Sequence, residues 1–464
     1  MDTTLPPIPD DRPVSRLLAP FARFAQLESS SSVVLLIATV AALILANTSA
    51  SGFYLKCLEF PFGLSAGQLS FRLPLSAWVN DVLMAIFFLV VGLEVKRELL
   101  VGELASFRRA ILPVLAAAGG MLVPALIYLL FNHRGPGERG WGVPIATDIA
   151  FSLAVLTVMG SRIPLTLRVF LASLAIADDI GGVLVIAVAY TRTLHWGWLL
   201  ASAILCLVGL GINRLGVIHL SAYVLLGLAL WCTLRASGIH PTLAGILLAL
   251  VVPSRTLMPA DSFVERAHHR LNAFRAAHSK QPHTESTRHH LDRLRAGLHL
   301  VESPLDRLEA LFHPWVSYGV MPLFALANAG IPLFGLRGSS LLRPEFAGVA
   351  LGLLLGKPLG ITLFSWLAVR FRVAQLPRGV NWQLLHGASW VAGIGFTVAI
   401  FIAGLAFTDR DSYTQSRIAI LLASTLAAII GATLLWTASS RNTLPAPSPF
   451  EEALSEASQA NSAA

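Results

Sequence analysis

Charge is scarce in this chain. Of its 464 residues only 13% are Asp, Glu, Lys or Arg, against 55% hydrophobic residues and a mean hydropathy of +0.69. A soluble domain normally carries about 25% charge, so an ordinary water-soluble globule is excluded. Cysteine is scarcer still. Cys57, Cys206 and Cys232 are scattered, which excludes a disulfide framework and a cysteine-held metal site. The alternation of a membrane β-barrel is absent too, leaving helices as the way to satisfy a backbone in lipid. Residues 1–30 carry Asp2, Asp10, Asp11 and Glu28 ahead of the first apolar run, unlike a cleaved signal peptide.

What is present is a series of long apolar runs, several near the roughly 20 residues a helix needs to cross a bilayer. Twelve are legible, at about 33–48, 76–98, 110–131, 143–160, 165–190, 195–212, 219–235, 239–253, 314–335, 345–369, 385–407 and 416–437. The sequence thus reads as an all-α polytopic membrane protein of twelve transmembrane helices. The net charge of +8 needs no nucleic acid as partner, because Lys and Arg gather in loops on one side. With the N-terminus cytoplasmic, 23 of the 34 Lys and Arg fall on the cytoplasmic side and 10 on the other, with Lys357 inside a span. Both termini are then cytoplasmic, and a bacterial inner membrane is the expected compartment.

The expected divisions follow. Residues 1–31 form a cytoplasmic segment, 32–255 carry spans one to eight, 256–312 form a polar helical cytoplasmic loop, 313–437 carry spans nine to twelve, and 438–464 read as a disordered tail. Within 50–75, the short segments Gly52–Phe60 and Gln68–Leu73 suggest a small β-hairpin on the periplasmic face. In 256–312, Leu291, Leu294 and Leu298 keep helical spacing. That loop, with His313, holds eight of the thirteen histidines, including the pairs His268-His269 and His289-His290. Metal binding is one reading; histidines on solvated helix faces is the other, favoured because no ligand spacing repeats.

Spans four and eleven look interrupted. The first reads GVPIATDIAF, with Pro144 and the pair Thr147-Asp148 inside it; the second reads VAGIGFTVAI, with Gly393, Gly395 and Thr397 near its middle. Spans 3–5 and 10–12 each form a triplet with a weakened central helix. Gly and Pro are common in membrane helices, but broken helices at matching positions of two repeats are the sign of a secondary transporter with an inverted repeat.

Asp81, Asp148, Asp178, Asp179 and Lys357 lie well within spans, and Glu94 and Glu98 near a span's cytoplasmic end. A carboxylate near a helix end is as easily a solvated one as a functional one. Five ionisable groups at depth are different: each is expensive in hydrocarbon, so a path for ions or protons is the default inference. The stretch LAIADDIGG sets Asp178 beside Asp179. Burial disfavours an ionised carboxylate, and a like-charged neighbour disfavours it further. Such a pair holds protons, which a small hard cation with a preference for oxygen ligands can displace. Alternating access to that competition is antiport. Broken helices also concentrate partial charge mid-membrane; Asp148 can offset the N-terminal ends and Lys357 the C-terminal ends, or Lys357 can pair with Asp178.

The strings NDVLMAIFFLVVGLEVKREL, IATDIAFSL, LAIADDIGG, GIHPTLAG, RLEALFHPWVSYGVMPLFALANAGI, LGKPLGI and GIGFTVAIFIAGLAF closely resemble the NhaA-type sodium/proton antiporters, in order over about Ser32–Trp436. The resemblance implies that Asp178 and Asp179 bind the cation and the protons, with Thr147 and Asp148 at the fourth-helix break and Lys357 as the partner of Asp178. It implies that Asp81 lines the cation path, that Glu94, Glu98, Glu309 and His313 surround a cytoplasmic funnel linked to pH sensing, and that His240 sits on the periplasmic side. It further implies a homodimer formed through the 52–73 hairpin, no cofactor, and electrogenic export of sodium or lithium for protons, switched on at alkaline pH. The loop 256–312 departs from the pattern, being longer than in the best-known members.

Two other classes compete with a transporter. An intramembrane aspartyl protease would use Asp148 and Asp178 as a dyad sharing a proton, but Asp178 has an adjacent twin and Lys357 competes for its charge. A non-transporting sensor is disfavoured by the presence of Asp178, Asp179 and Lys357 together.

Overall fold

The computed structural model describes residues 30–280, apart from 67, 68, 136, 192, 193, 218, 257 and 259, together with 301–332 and 343–440. It is built almost wholly of helices. Helix α1 (Ser30–Ala46) turns by 113° into α2 (Ser51–Glu59), and a two-stranded antiparallel sheet follows, β1 (Pro61–Ala66) with β2 (Leu69–Pro74). The expected hairpin is present and its second strand falls within a residue of the expected Gln68–Leu73, but its first strand lies later than expected: Gly52–Phe60 is helical except for Phe60. Its apolar residues do not alternate, so nothing in it favours a pleat over a helix.

Next come α3 (Leu75–Val101), α4 (Phe107–Asn132), and a 3-10 segment Glu138–Ile145 separated by three extended residues from α5 (Ile149–Val158). Then follow α6 (Leu165–Ala189), α7 (Trp196–Arg214), α8 (Leu220–Ser237) and the short α9 (Leu243–Val251). The polar α10 (Ala260–Lys280) leads to residues outside those described, among them Leu291, Leu294, Leu298 and the pair His289-His290. The rest is α11 (Pro304–Asn328), α12 (Pro344–Arg370), α13 (Trp382–Val391), α14 (Phe396–Ala406) and α15 (Arg410–Ser440).

Among the described residues, nine helices are long and apolar enough to cross a membrane, or up to eleven if each of two bent pairs is one span. The run 239–253 contributes only nine residues of helix in α9, too short to span by itself. Helix α11 starts at Pro304, ahead of the expected 314, because Ser303 caps it by accepting from Asp306 N and Pro304 fits the first turn. Helix α15 continues to Ser440, past the expected boundary at 437, and the tail beyond it lies outside the described residues.

Exposed apolar side chains such as Ile37, Leu130 and Leu207 cover the outer faces, as a lipid-facing surface requires. Inside, α12 packs on α4. Gly119 and Gly360 let the two backbones meet: a Cβ on either would lie 2.3 or 2.1 Å from the other's carbonyl oxygen. Small residues at such a crossing are how membrane helices approach closely. Two ionisable residues are set by π-helical turns, which locally widen a helix. Asp81 lies within Trp78–Leu83, and Lys357 directly follows Gly352–Gly356.

Candidate functional site: a crossing of two broken helices

The break at Ala146–Asp148 meets the break between α13 and α14, whose axes differ by 49°. The extended segment and the turn between α13 and α14 join by a backbone hydrogen bond, Asp148 N to Ile394 O, at 2.6 Å. Close approach explains the glycines: a Cβ on Gly393 would lie 2.9 Å from Leu353 O, and one on Gly395 3.1 Å from Ala146 O. Pro144, in the 3-10 segment, packs against Gly352 of α12.

A broken helix exposes backbone groups that water cannot satisfy at this depth, and here side chains of the opposite element do so. Asp148 caps two helices at once. Its Oδ1 accepts from Phe151 N in α5 at 3.2 Å, and its Oδ2 accepts from Thr397 N in α14 at 3.1 Å and from the Thr397 hydroxyl. Ser152 Oγ donates to Val391 O and Thr147 Oγ1 to Ala392 O, both at 3.1 Å, at the end of α13. Lys357 Nζ donates to Ile145 O at the end of the 3-10 segment. Negative charge thus meets the positive helix starts, and positive charge a negative helix end.

Lys357 also reaches the carboxylate pair. Its Nζ lies 2.8 Å from Asp178 Oδ2, and neither side chain has any exposed surface. Thr147 Oγ1 donates to the same oxygen at 2.6 Å. One hydroxyl proton thus has two acceptors, Asp178 and Ala392 O. With Asp178 ionised it goes to Asp178; with Asp178 protonated, the acid can donate to Thr147 and Thr147 to Ala392. Asp178 Oδ1 is buried without a hydrogen-bond partner, and the side chain of Asp179, 8% exposed, makes no hydrogen bond among the described residues. Oxygen atoms in that condition can take up a proton or a hard cation.

The other candidates fall into two groups away from the crossing. At the Val101 end of α3, Arg97 Nη1 pairs with Glu309 Oε1 at 2.7 Å, and Glu94 Oε1 lies 4.0 Å from His313 Nε2. Glu98 accepts from Glu103 N at 2.7 Å, closing the turn after α3, and from Ser173 of α6 at 3.4 Å. Thirteen residues earlier on α3 than Glu94, about 20 Å along a helix, Asp81 pairs with Arg235 of α8 at 2.5 Å. There a cavity of about 290 Å³ is lined by Asp81, Asn80, His240, Asn328 and Tyr413 among others. His240 Nδ1 lies 2.8 Å from Thr242 Oγ1 and its ring stands edge-on to Phe401. His240 is therefore grouped with Asp81, apart from Glu94, Glu309 and His313. Among the described residues no three His, Cys, Asp or Glu side chains converge to hold a metal ion.

Sequence reasoning missed Arg235, Ser152, Asn328 and Ser424 of α15. Arg235 was findable as a cation near a span end. A serine in an apolar helix carries no mark of what its hydroxyl reaches.

Residues 22–435 match the model of the family described as Na+/H+ antiporter 1. The Na+/H+ antiporter NhaA of Koribacter versatilis is 45% identical over 439 residues, covering 94% of this chain and 95% of that protein. That of Rhodopirellula baltica is 44% identical, covering 94% and 98%. That of Acidithiobacillus ferrooxidans is 46% identical, covering 90% and 97%.

Proposed function

The chain belongs to the Na+/H+ antiporter 1 family, and on that premise we propose that it exports sodium or lithium from a bacterium in exchange for protons. It is an integral membrane protein with several apolar helices, a transporter rather than a catalytic enzyme. In this reading it sits in the inner membrane with both termini cytoplasmic, as twelve spans with inverted repeats in spans 3–5 and 10–12, and dimerises through the 61–74 hairpin. It needs no cofactor.

The observation that carries the reading is the state of the two carboxylates among the described residues: Asp178 shared between Lys357 and Thr147 with one oxygen unpartnered, and the Asp179 side chain beside it without a hydrogen bond. A cation arriving at Asp178 and Asp179 competes both with protons and with Lys357 for the same oxygens. Loading the cation expels protons and releases Lys357; unloading it on the far side lets both return. The crossing supplies the moving part, because the 3-10 segment is joined to α5 by three extended residues and α14 to α13 by a short turn. If one monovalent ion leaves for two protons, each cycle moves one net charge, and membrane potential contributes about 2.3 kcal/mol per charge per 100 mV. Glu94, Glu98, Glu309 and His313 are the groups we assign to switching with pH, and Asp81 and His240 to the cation path.

The protease alternative loses its basis, because the oxygens of Asp148 are taken by Phe151 and Thr397 and leave no shared proton for a dyad. The decisive experiment is sodium-induced dequenching of a pH-sensitive dye in everted vesicles, scanned over pH. Wild-type protein should dequench at alkaline pH, and Asp179→Asn should not. Normal exchange by Asp179→Asn overturns the assignment; exchange insensitive to membrane potential overturns the stoichiometry.

A further inference from the structure

Helix α14 begins at the centre of the crossing, and its first amides have no partner within their own turn. Its N-cap is Gly395, which has no side chain to supply one. Asp148 takes one of these amides, Thr397 N. Two more are taken from a different direction: Ser424 Oγ of α15 accepts from Gly395 N and from Phe396 N, each at 3.2 Å. Ser424 is buried, in the apolar stretch IAILLASTLAAII. A hydroxyl oxygen has two acceptor sites, and both are used on one helix start.

We propose that Ser424 is a positioning residue of the exchange site. Its hydroxyl fixes the start of α14 so that Thr397 presents both N–H and O–H to Asp148, and its lone pairs offset part of the positive end of that half-helix. The inference rests on reading the crossing as the place where cation and protons compete. Ser424 and Asp148 cap the helix start between them. The carboxylate meets the third amide and the hydroxyl the two before it. Neither is a site for an added anion, since the helix start is already filled.

The consequence is electrostatic. Replacing Ser424 by Ala removes the acceptor while leaving α15 with a better helix former. Two amides then lack partners in a dry place, and the positive end of α14 bears more fully on Asp148, and beyond it on Asp178 and Asp179. Added to the charge of Lys357, 2.8 Å from Asp178, this potential favours proton release from the site, so exchange should begin at lower pH. Terminal helix charge effects correspond to a shift of about 0.2–0.7 pH unit.

The test compares pH profiles of sodium-dependent exchange in everted vesicles for wild type, Ser424→Ala, Ser424→Thr and Asp179→Asn. Ser424→Ala should shift the profile acidward by that amount, and Ser424→Thr, which keeps the hydroxyl, should superimpose on wild type. A merely structural seat would lower the amount of folded protein without moving the profile. An unmoved Ser424→Ala profile with Asp179→Asn inactive overturns this inference alone. So does a Ser424→Thr profile displaced as far as that of Ala. Normal exchange by Asp179→Asn would instead overturn the reading of the site. Should Ser424→Ala fail to reach the membrane, Ser424→Cys, a weak acceptor of similar size, should shift the same way, and an unshifted profile counts against the proposal.

Discussion

Two ion pairs in this molecule have nearly the same length and opposite surroundings. Lys357 meets Asp178 at 2.8 Å with both side chains fully buried, whereas Arg97 meets Glu309 at 2.7 Å with the arginine half exposed. The second pair is open on one side only, its arginine half in water and its glutamate 11% exposed, so it is worth about 1 kcal/mol and is partly screened by salt. The first has lost its water, so each charge needs the other, and removal of one strands its partner at several kcal/mol. The distance is the same; the dielectric decides what the contact does. A buried pair can be traded for a proton or a cation with a large free-energy difference between states, which suits a transport site. An exposed pair can only adjust a local potential, which suits tuning.

The comparison breaks first, and most visibly, at Lys357. Lys357→Met leaves Asp178 buried with Thr147 as its remaining partner, and should destabilise the protein by roughly 3–5 kcal/mol where Asp178 is ionised. Proton uptake by Asp178 relieves that strain, so the gap from wild type should narrow as pH falls and widen as it rises. Thermal unfolding in detergent across pH measures it, and a gap independent of pH contradicts the pairing. The double variant Asp178→Asn/Lys357→Met removes both charges and should recover most of the stability while exchanging nothing. Recovery of stability without recovery of transport would separate the two roles of the pair.

The buried half of this comparison was legible in the sequence, and the exposed half much less so. Asp178, Asp179 and Lys357 announce themselves because charge in an apolar run has no cheap structural explanation. Pro144, Gly393 and Gly395 mark the two breaks for a related reason: each weakens a helix that composition otherwise favours. Helix ends were harder. The start of α11 is set by Ser303 and Pro304, a local cap that hydropathy does not register. The first strand of the sheet was expected one segment early, because 52–60 is short and mixed enough to read either way. Partners across the fold were beyond reach. That Arg235 meets Asp81, or that Ser424 holds α14, depends on which faces of distant helices meet, and periodicity fixes a face without naming its neighbour.

Between the extremes stands Asp81 with Arg235, whose side chains are 21% and 34% exposed. Here the cation of the pair competes with any sodium that enters the adjoining cavity. Arg235→Gln frees Asp81 and should lower the apparent KM for sodium presented from that side, by up to about fivefold, the equivalent of ~1 kcal/mol for a partly exposed pair. Asp81→Asn should raise it. Measured in right-side-out and everted vesicles, the effect should appear on one side only. Equal effects from both sides would mean that Asp81 acts on the crossing instead of on an entrance.

The smallest effect sharpens the contrast most. Arg97→Gln removes a half-exposed cation from the buried Glu309 and should cost about 1 kcal/mol, limited because Glu309 can take up a proton in its absence. Its influence on the switch is nonetheless one-signed, because Arg97 is the cation paired with Glu309 in the cluster that also holds Glu94 and His313. Loss of a nearby cation makes each of them hold its proton to higher pH, carboxylate and imidazole alike. If these groups set the onset of exchange, that onset should move alkaline by a few tenths of a pH unit, on the order expected for one screened charge. Raised salt should shrink the difference between variant and wild type, since screening already weakens Arg97 in the native protein. Arg343→Gln provides the control: Arg343, at the start of α12, pairs with the exposed Asp411 of α15 at 3.5 Å, outside this cluster, and its loss should leave the onset where it was. An Arg97→Gln protein of normal stability and shifted onset places switching in this cluster. An unshifted onset moves it elsewhere, to groups that Arg97 does not touch.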